Sequence, residues 1–202
     1  DVVIATAPVQ GVEKINEGNG FGYRISGVNA NNYGNIGANA VDLSIQLSTS
    51  STAGATGTRA NAFGANTTAS NLQSFAINAN TIASGQNSFA SGYGSRATGN
   101  ISFATGNNTL ASEQGAFSSG DNTKATGQYS HAQNGYTTAS GTSSFSSNIG
   151  TEAKGYASTA SGVNQTAFSY AETVIGSYGT DYTPASQLLF QASDPIFNIG
   201  IG

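Results

Sequence analysis

The chain repeats itself every fourteen residues, without insertion, from Ala60 to Ala171. Eight units start at Ala60, Ser74, Ser88, Ser102, Ala116, Ser130, Ser144 and Ser158, and a partial unit, Ala55-Thr56-Gly57, precedes them. The clearest reads NSFASGYGSRATG, from Asn87 to Gly99. A short fixed period is the mark of a solenoid, because one unit cannot bury its own inner face and stacked units can.

The columns of the repeat carry physical meaning. Position three is Ala or Ser in every unit, from Ala62 to Ala160. Position ten is always Ala: Ala69, Ala83, Ala97, Ala111, Ala125, Ala139, Ala153 and Ala167. Such columns must face something too close for a larger side chain. Position five is only Gly or Asn, as at Gly92, Gly106, Gly120 and Asn134. These residues tolerate left-handed backbone, so the column predicts a corner. A second corner is expected at Gly85, Gly99, Gly127, Gly141 and Gly155. Two corners leave two strands of about four or five residues per unit. At about 4.8 Å per rung, eight rungs make a rod roughly 38 Å long. Stacked Thr, Ser and Asn columns can hydrogen-bond along it.

A helical reading fails, because Gly, Asn, Ser and Thr are poor helix formers and no 3.6-residue stripe exists. Collagen fails because Gly does not recur at every third residue. Disorder is opposed by the fixed spacing and by only three Pro among 202 residues. A rung of two short strands is thin, and its Ala face is expected to stay wet in a monomer. Closing three copies around an axis would cover that face and the sheet edges. Phe75, Phe89, Phe103, Phe117 and Phe145 share one column with His131. They read as a structural aromatic stack, with a ligand platform as the alternative.

The pattern N-S-x-A-x-G-x-x-S-x-A-x-G resembles the head repeat of YadA-like trimeric autotransporter adhesins. Asn87, Ser88, Ala90, Gly92, Ser95, Ala97 and Gly99 match it in order. The resemblance implies an all-β, left-handed parallel β-roll, homotrimeric about the rod axis, with small β caps at both ends. Heads of that family bind host surfaces. The leader EGNGFGYRISGVNANNYGNIGANAVDLS, Glu17 to Ser44, is similar to leaders of phage and marine-bacterial fibre proteins. The tail, VIGSYGT from Val174 and DPIFNIGIG at Asp194–Gly202, resembles the junction before an endosialidase-type intramolecular chaperone. A chain that starts at Asp1 without Met reads as a processed product or part of a longer one.

Three regions follow: an N-terminal adapter or cap over 1–54, the roll over 55–171, and a C-terminal cap or neck over 172–202. Residues 1–16 are expected to form an extended strand or docking segment, which would join other virion or fibre proteins. Ala40–Leu47 alternates in polarity and predicts a strand. The tail carries Tyr178, Tyr182, Leu188, Leu189, Phe190, Ile196 and Phe197, enough apolar surface for a trimer contact.

Charge and chemistry exclude several functions. The net charge is −4 with six Lys and Arg, which argues against nucleic acid and against an anionic membrane surface. No apolar run is long enough to span a bilayer. Cys is absent, so no disulfide or thiolate metal site forms. The lone His131 sits in the Phe column and makes no triad or metal site arguable. Glu113 and Asp121 lie in adjoining turns and could approach each other within a trimer as a carboxylate pair, although solvated loop charges are the plainer reading. No cofactor is expected.

One column varies freely beside the fixed ones. Position nine reads Thr68, Ile82, Arg96, Leu110, Lys124, Thr138, Glu152 and Thr166. It is expected to face outward, with Arg96, Lys124 and Glu152 marking a candidate recognition face; the alternative is an unconstrained solvated face. The expected function is attachment: a trimeric fibre, on a phage tail or spike or a bacterial surface, binding a host-cell glycan or protein, and not an enzyme. Weaker alternatives are a structural spacer, an ice-binding solenoid and a tailspike glycan hydrolase.

Overall fold

The computed structural model describes residues 11–179 and 181–201. The part of the predicted docking segment before Gly11 lies outside the described residues. Among the described residues, the regular structure is all β apart from one 3-10 turn at Ala30–Asn32. The chain winds as a parallel β-solenoid of about eleven turns. Two sheets face each other, one of 13 strands and one of 9. Their order follows the chain, so each turn lies on the one before. Each repeat column becomes a hydrogen-bonded ladder: Phe89 pairs with Phe103 and Phe103 with Phe117, while Ala97 pairs with Ala111 and Ala111 with Ala125.

The two strands of a turn are unequal, where two of similar length were expected. Phe89–Tyr93 has five residues and Arg96–Ala97 has two. The reason is where the left-handed backbone falls. Position five does adopt positive φ, as at Gly106 (φ 123) and Asn134 (φ 78), yet it lies inside the long strand. The corner comes two residues later, at Asn80 (φ 56) or Asn108 (φ 51), and a second one at Asn87 (φ 54) or Tyr129 (φ 56). The Gly99 column serves close approach. A Cβ on Gly99 would stand 2.0 Å from the carbonyl oxygen of Glu113 in the next turn. The short strand is what remains between these two bends.

The core is made of small residues. Ala69, Ala83, Ala97, Ala111, Ala125, Ala139 and Ala153 are fully buried, facing Ala76, Ala90, Ala104 and Ala132 across the gap between the sheets. This burial is complete within one chain, which corrects the expectation of a wet Ala face. The gap fits Ala and little more, since interiors are close-packed. Most buried hydroxyls find partners, as the cost of stranding them demands, with Thr67, Ser144 and Ser158 the exceptions among the described residues. Ser88, Ser102 and Ser130 donate to the carbonyls of Gly85, Gly99 and Gly127 at 2.6–2.7 Å. Thr109 donates to Ser95 at 2.9 Å along the stack. The Thr column, Thr67 to Thr151, therefore faces inward and is buried.

The Phe column forms a ladder on the outer face of the long-strand sheet. Ring centroids of Phe75, Phe89, Phe103 and Phe117 follow one another at 5.4, 4.8 and 5.1 Å in near-parallel planes. Each stacked pair contributes about 0.5–1.5 kcal/mol beyond burial. His131 continues the ladder, 4.4 Å from Phe117 and 5.1 Å from Phe145. Burial pushes the His131 imidazole below its ordinary range, against the effect of Gln133 beside it.

The ladder does not stop at residue 55 or 171. Val41–Ile45, within the predicted Ala40–Leu47 strand, pairs parallel with Asn61–Ala65. At the other end Thr173–Ser177 pairs with Phe197–Ile201. The N-terminal edge carries an antiparallel hairpin of Val12–Asn16 and Phe21–Ile25. Beneath it Arg24 is buried, donating to the Gly34 carbonyl at 2.8 Å and to Glu17 at 3.1 Å, with the Tyr33 ring 4.7 Å away.

Candidate functional site

The short strands read outward-inward. In Arg96–Ala97 and its neighbours the Ala points into the core, so position nine points out. Strand pairing aligns Ile82, Arg96, Leu110, Lys124, Thr138, Glu152 and Thr166 in one row along the rod. Arg96 and Lys124 are exposed and Glu152 is half-buried. The three lie on alternate turns, about 10 Å apart, with Leu110 and Thr138 between them. They share a face but make no cluster.

Glu152 is the one with close partners. Its carboxylate meets the Lys154 ammonium at 2.6 Å, and that ammonium lies 5.0 Å from the centre of the Phe168 ring. The Tyr182 ring packs edge-on against Phe168 at 5.2 Å. Tyr182 in turn donates to Glu172 at 2.7 Å. Burial first, and then the Glu172 carboxylate, push the Tyr182 hydroxyl up to about 12, so it stays a donor at neutral pH. A shallow cleft opens here between the roll and the segment around Asp181–Thr183, walled by Glu152, Lys154, Asn164, Phe168, Asp181 and Tyr182. Position nine alone did not point to Lys154 or Tyr182. Lys154 breaks a column of Ser and Thr at position eleven, and that break was the available signal.

Glu172 and Gln165 replace the buried Ser and Thr of earlier turns. Glu172 accepts from the amides of Phe168 and Ser169 at 2.6 and 3.0 Å within its own turn, and its bond from Tyr182 ties the C-terminal segment to that turn. Beyond it, Leu188, Leu189, Phe190, Ile196, Phe197, Ile199 and Ile201 are exposed. Glu113 and Asp121 stand on opposite edges of the roll. Glu113 lies in the turn after Leu110–Ala111, and Asp121 ends Phe117–Asp121. The carboxylate pair considered from sequence is therefore not formed within one chain.

A second hollow, at the N-terminal end, is lined by Glu17, Asn31, Tyr33, Asn35, Ser50 and Thr52. Glu17 and Gly34, which hold Arg24, are among its lining residues, and the Tyr33 ring is too buried to serve as a platform. No helix among the described residues is long and apolar enough to cross a membrane. No family model matches the chain, and no curated protein matches it.

Proposed function

We propose that the chain is one protomer of a homotrimeric fibre head, a left-handed β-roll of YadA-like fourteen-residue units, that attaches a phage tail or spike, or a bacterial surface, to a glycan or protein on another cell. One observation carries this reading. The columns that repeat without change are spent on the interior, and the column that varies stands outside on a rigid rod. Variation on a fixed scaffold is what recognition requires and what a core forbids.

The trimer is supported by the aromatic ladder. Its rings stack on each other but keep one side open, and after Thr159 and Thr173 the same column ends on the exposed Phe197 in the last turn. Three copies packed on that face would cover it and present three identical outer rows. Weak contacts then add as avidity. The N-terminal region would join neighbouring fibre proteins, and the assembly would work outside the cell. Against the ice-binding alternative, the Thr stack is buried and does not meet water. A spacer role needs no outward variation, so attachment is the reading preferred here.

The test is binding of the labelled native protein to a panel of bacterial cells, with phage adsorption as competitor. Attachment predicts saturable binding that blocks adsorption, weakened at least tenfold when Arg96, Lys124 and Glu152 are all changed to Ala. Binding to no cell would replace attachment with the spacer role. Undiminished binding of the triple variant would move recognition to another face.

A further inference from the structure

The corner after the long strand holds an arrangement that the outer row does not use. Tyr93, Asn107, Asp121 and Gly135 end four successive long strands and pair in register. Tyr136 follows Gly135. Both tyrosines are largely exposed, Tyr93 at 57% and Tyr136 at 64%. Between them, the Asn107 amide donates to one Asp121 carboxylate oxygen at 2.6 Å, which fixes both side chains. The other oxygen of Asp121 accepts from no group among the described residues. A Cβ on Gly135 would meet nothing within 4 Å, so the end of that strand is open.

Tyr136 is also out of place. Its column is filled by Asn or Gly in the turns before it, and Tyr136 holds the same left-handed backbone at φ 56. An aromatic residue in that region is strained, and an exposed ring gains little packing in return.

We infer that this corner is a binding site for a neutral oligosaccharide. The inference rests on the attachment reading above and names a ligand class and a place for it. Two exposed rings three rungs apart, about 14 Å, can each carry the C–H face of a sugar ring. The free oxygen of Asp121 and the Asn107 amide lie between them, suited to adjacent hydroxyl groups that donate to a carboxylate and accept from an amide. Asp121 forms no ion pair among the described residues, so its charge disfavours an acidic sugar.

The experiment is a glycan panel of neutral glucose, galactose and mannose oligosaccharides, with sialylated counterparts, probed with the native full chain. The expected result is binding to neutral members only. Tyr93→Ala or Tyr136→Ala should each weaken it at least tenfold, and Asp121→Asn should weaken it measurably. Tyr178→Ala is the control. Tyr178 shares the strained column (φ 51) and the exposure, but its strand-end neighbours are Val163 and Ser177, with no amide–carboxylate pair. It should bind as the native chain does. Unchanged binding in the Tyr93 and Tyr136 variants would overturn the assignment, as would preference for sialylated members. If those variants instead lose the native assembly mass, the rings are contacts between copies and the assignment also fails. A native chain that attaches to cells but binds no neutral glycan refutes this site and leaves the attachment reading standing.

Discussion

Gly106→Val is expected to lower stability by about 3 kcal/mol or more. Two independent costs meet at this residue. Its φ is 123, a region that a β-branched side chain does not adopt. A Cβ there would stand 2.0 Å from the carbonyl oxygen of Gly120 in the next turn, so the ladder between the two turns would have to part. Because each turn rests only on its neighbours, a break in the middle of the stack splits one cooperative unit into two. Gly106→Asn separates the causes. Asn78, Asn134 and Asn148 occupy the same column at φ 78–84, which shows how the backbone turns to make room for a Cβ. Urea denaturation followed by circular dichroism should find the Val variant far less stable, with the Asn variant between it and the native chain. Equal midpoints for the Val variant and the native chain would contradict the packing described for the column.

Arg24→Ala is expected to cost about 3–5 kcal/mol, the range for removing one partner of a buried charge pair. Asp42 is fully buried, and its carboxylate accepts from the amides of Ser44 and Ala55 at 3.1 Å. Arg24 Nε stands 3.7 Å from it, an ion pair too long for a hydrogen bond, while the rest of the guanidinium is held by Glu17 and Gly34. Burial pushes the Asp42 carboxyl above its ordinary range, and Arg24 opposes that push. A raised folded-state value means that the folded chain favours the protonated form. The stability this provides is present below the unfolded value of about 3.9 and is lost as pH rises through the folded value. Without Arg24 the loss on ionisation is larger, so the deficit of the variant should be widest at neutral pH and narrow in acid. Changing Arg24 and Asp42 together to Ala should recover part of the deficit, because the stranded charge goes with its partner. A deficit independent of pH would contradict the pairing.

Much of the fold is legible in the repeat, and the physical reason is simple. In a solenoid the same contact recurs at every turn, so one requirement writes itself down the sequence many times. The Ala at position ten and the Gly or Asn at position five gave inner faces and left-handed backbone directly. What was misread came from treating every Gly as a corner. Gly99 is Gly because another backbone passes close, and no composition rule separates that cause from positive φ. The buried Ala face was misjudged for a related reason: two sheets can lie near enough to hide Ala from water without a partner chain. Arg96, Lys124 and Glu152 do form one outward row. The cleft beside Glu152 was illegible, because it depends on the C-terminal segment folding back to bring Tyr182 against Phe168. A contact made once leaves no column.

The measurement that bears most directly on the account is the mass of the intact native chain by light scattering on a sizing column. A trimeric fibre head predicts three times the 20.3 kDa of one chain, in an elongated particle. Phe103→Asp, which places a charge in the aromatic ladder, should dissociate that particle. A native mass of 20.3 kDa would contradict the trimer and leave the aromatic ladder as a stack within one chain.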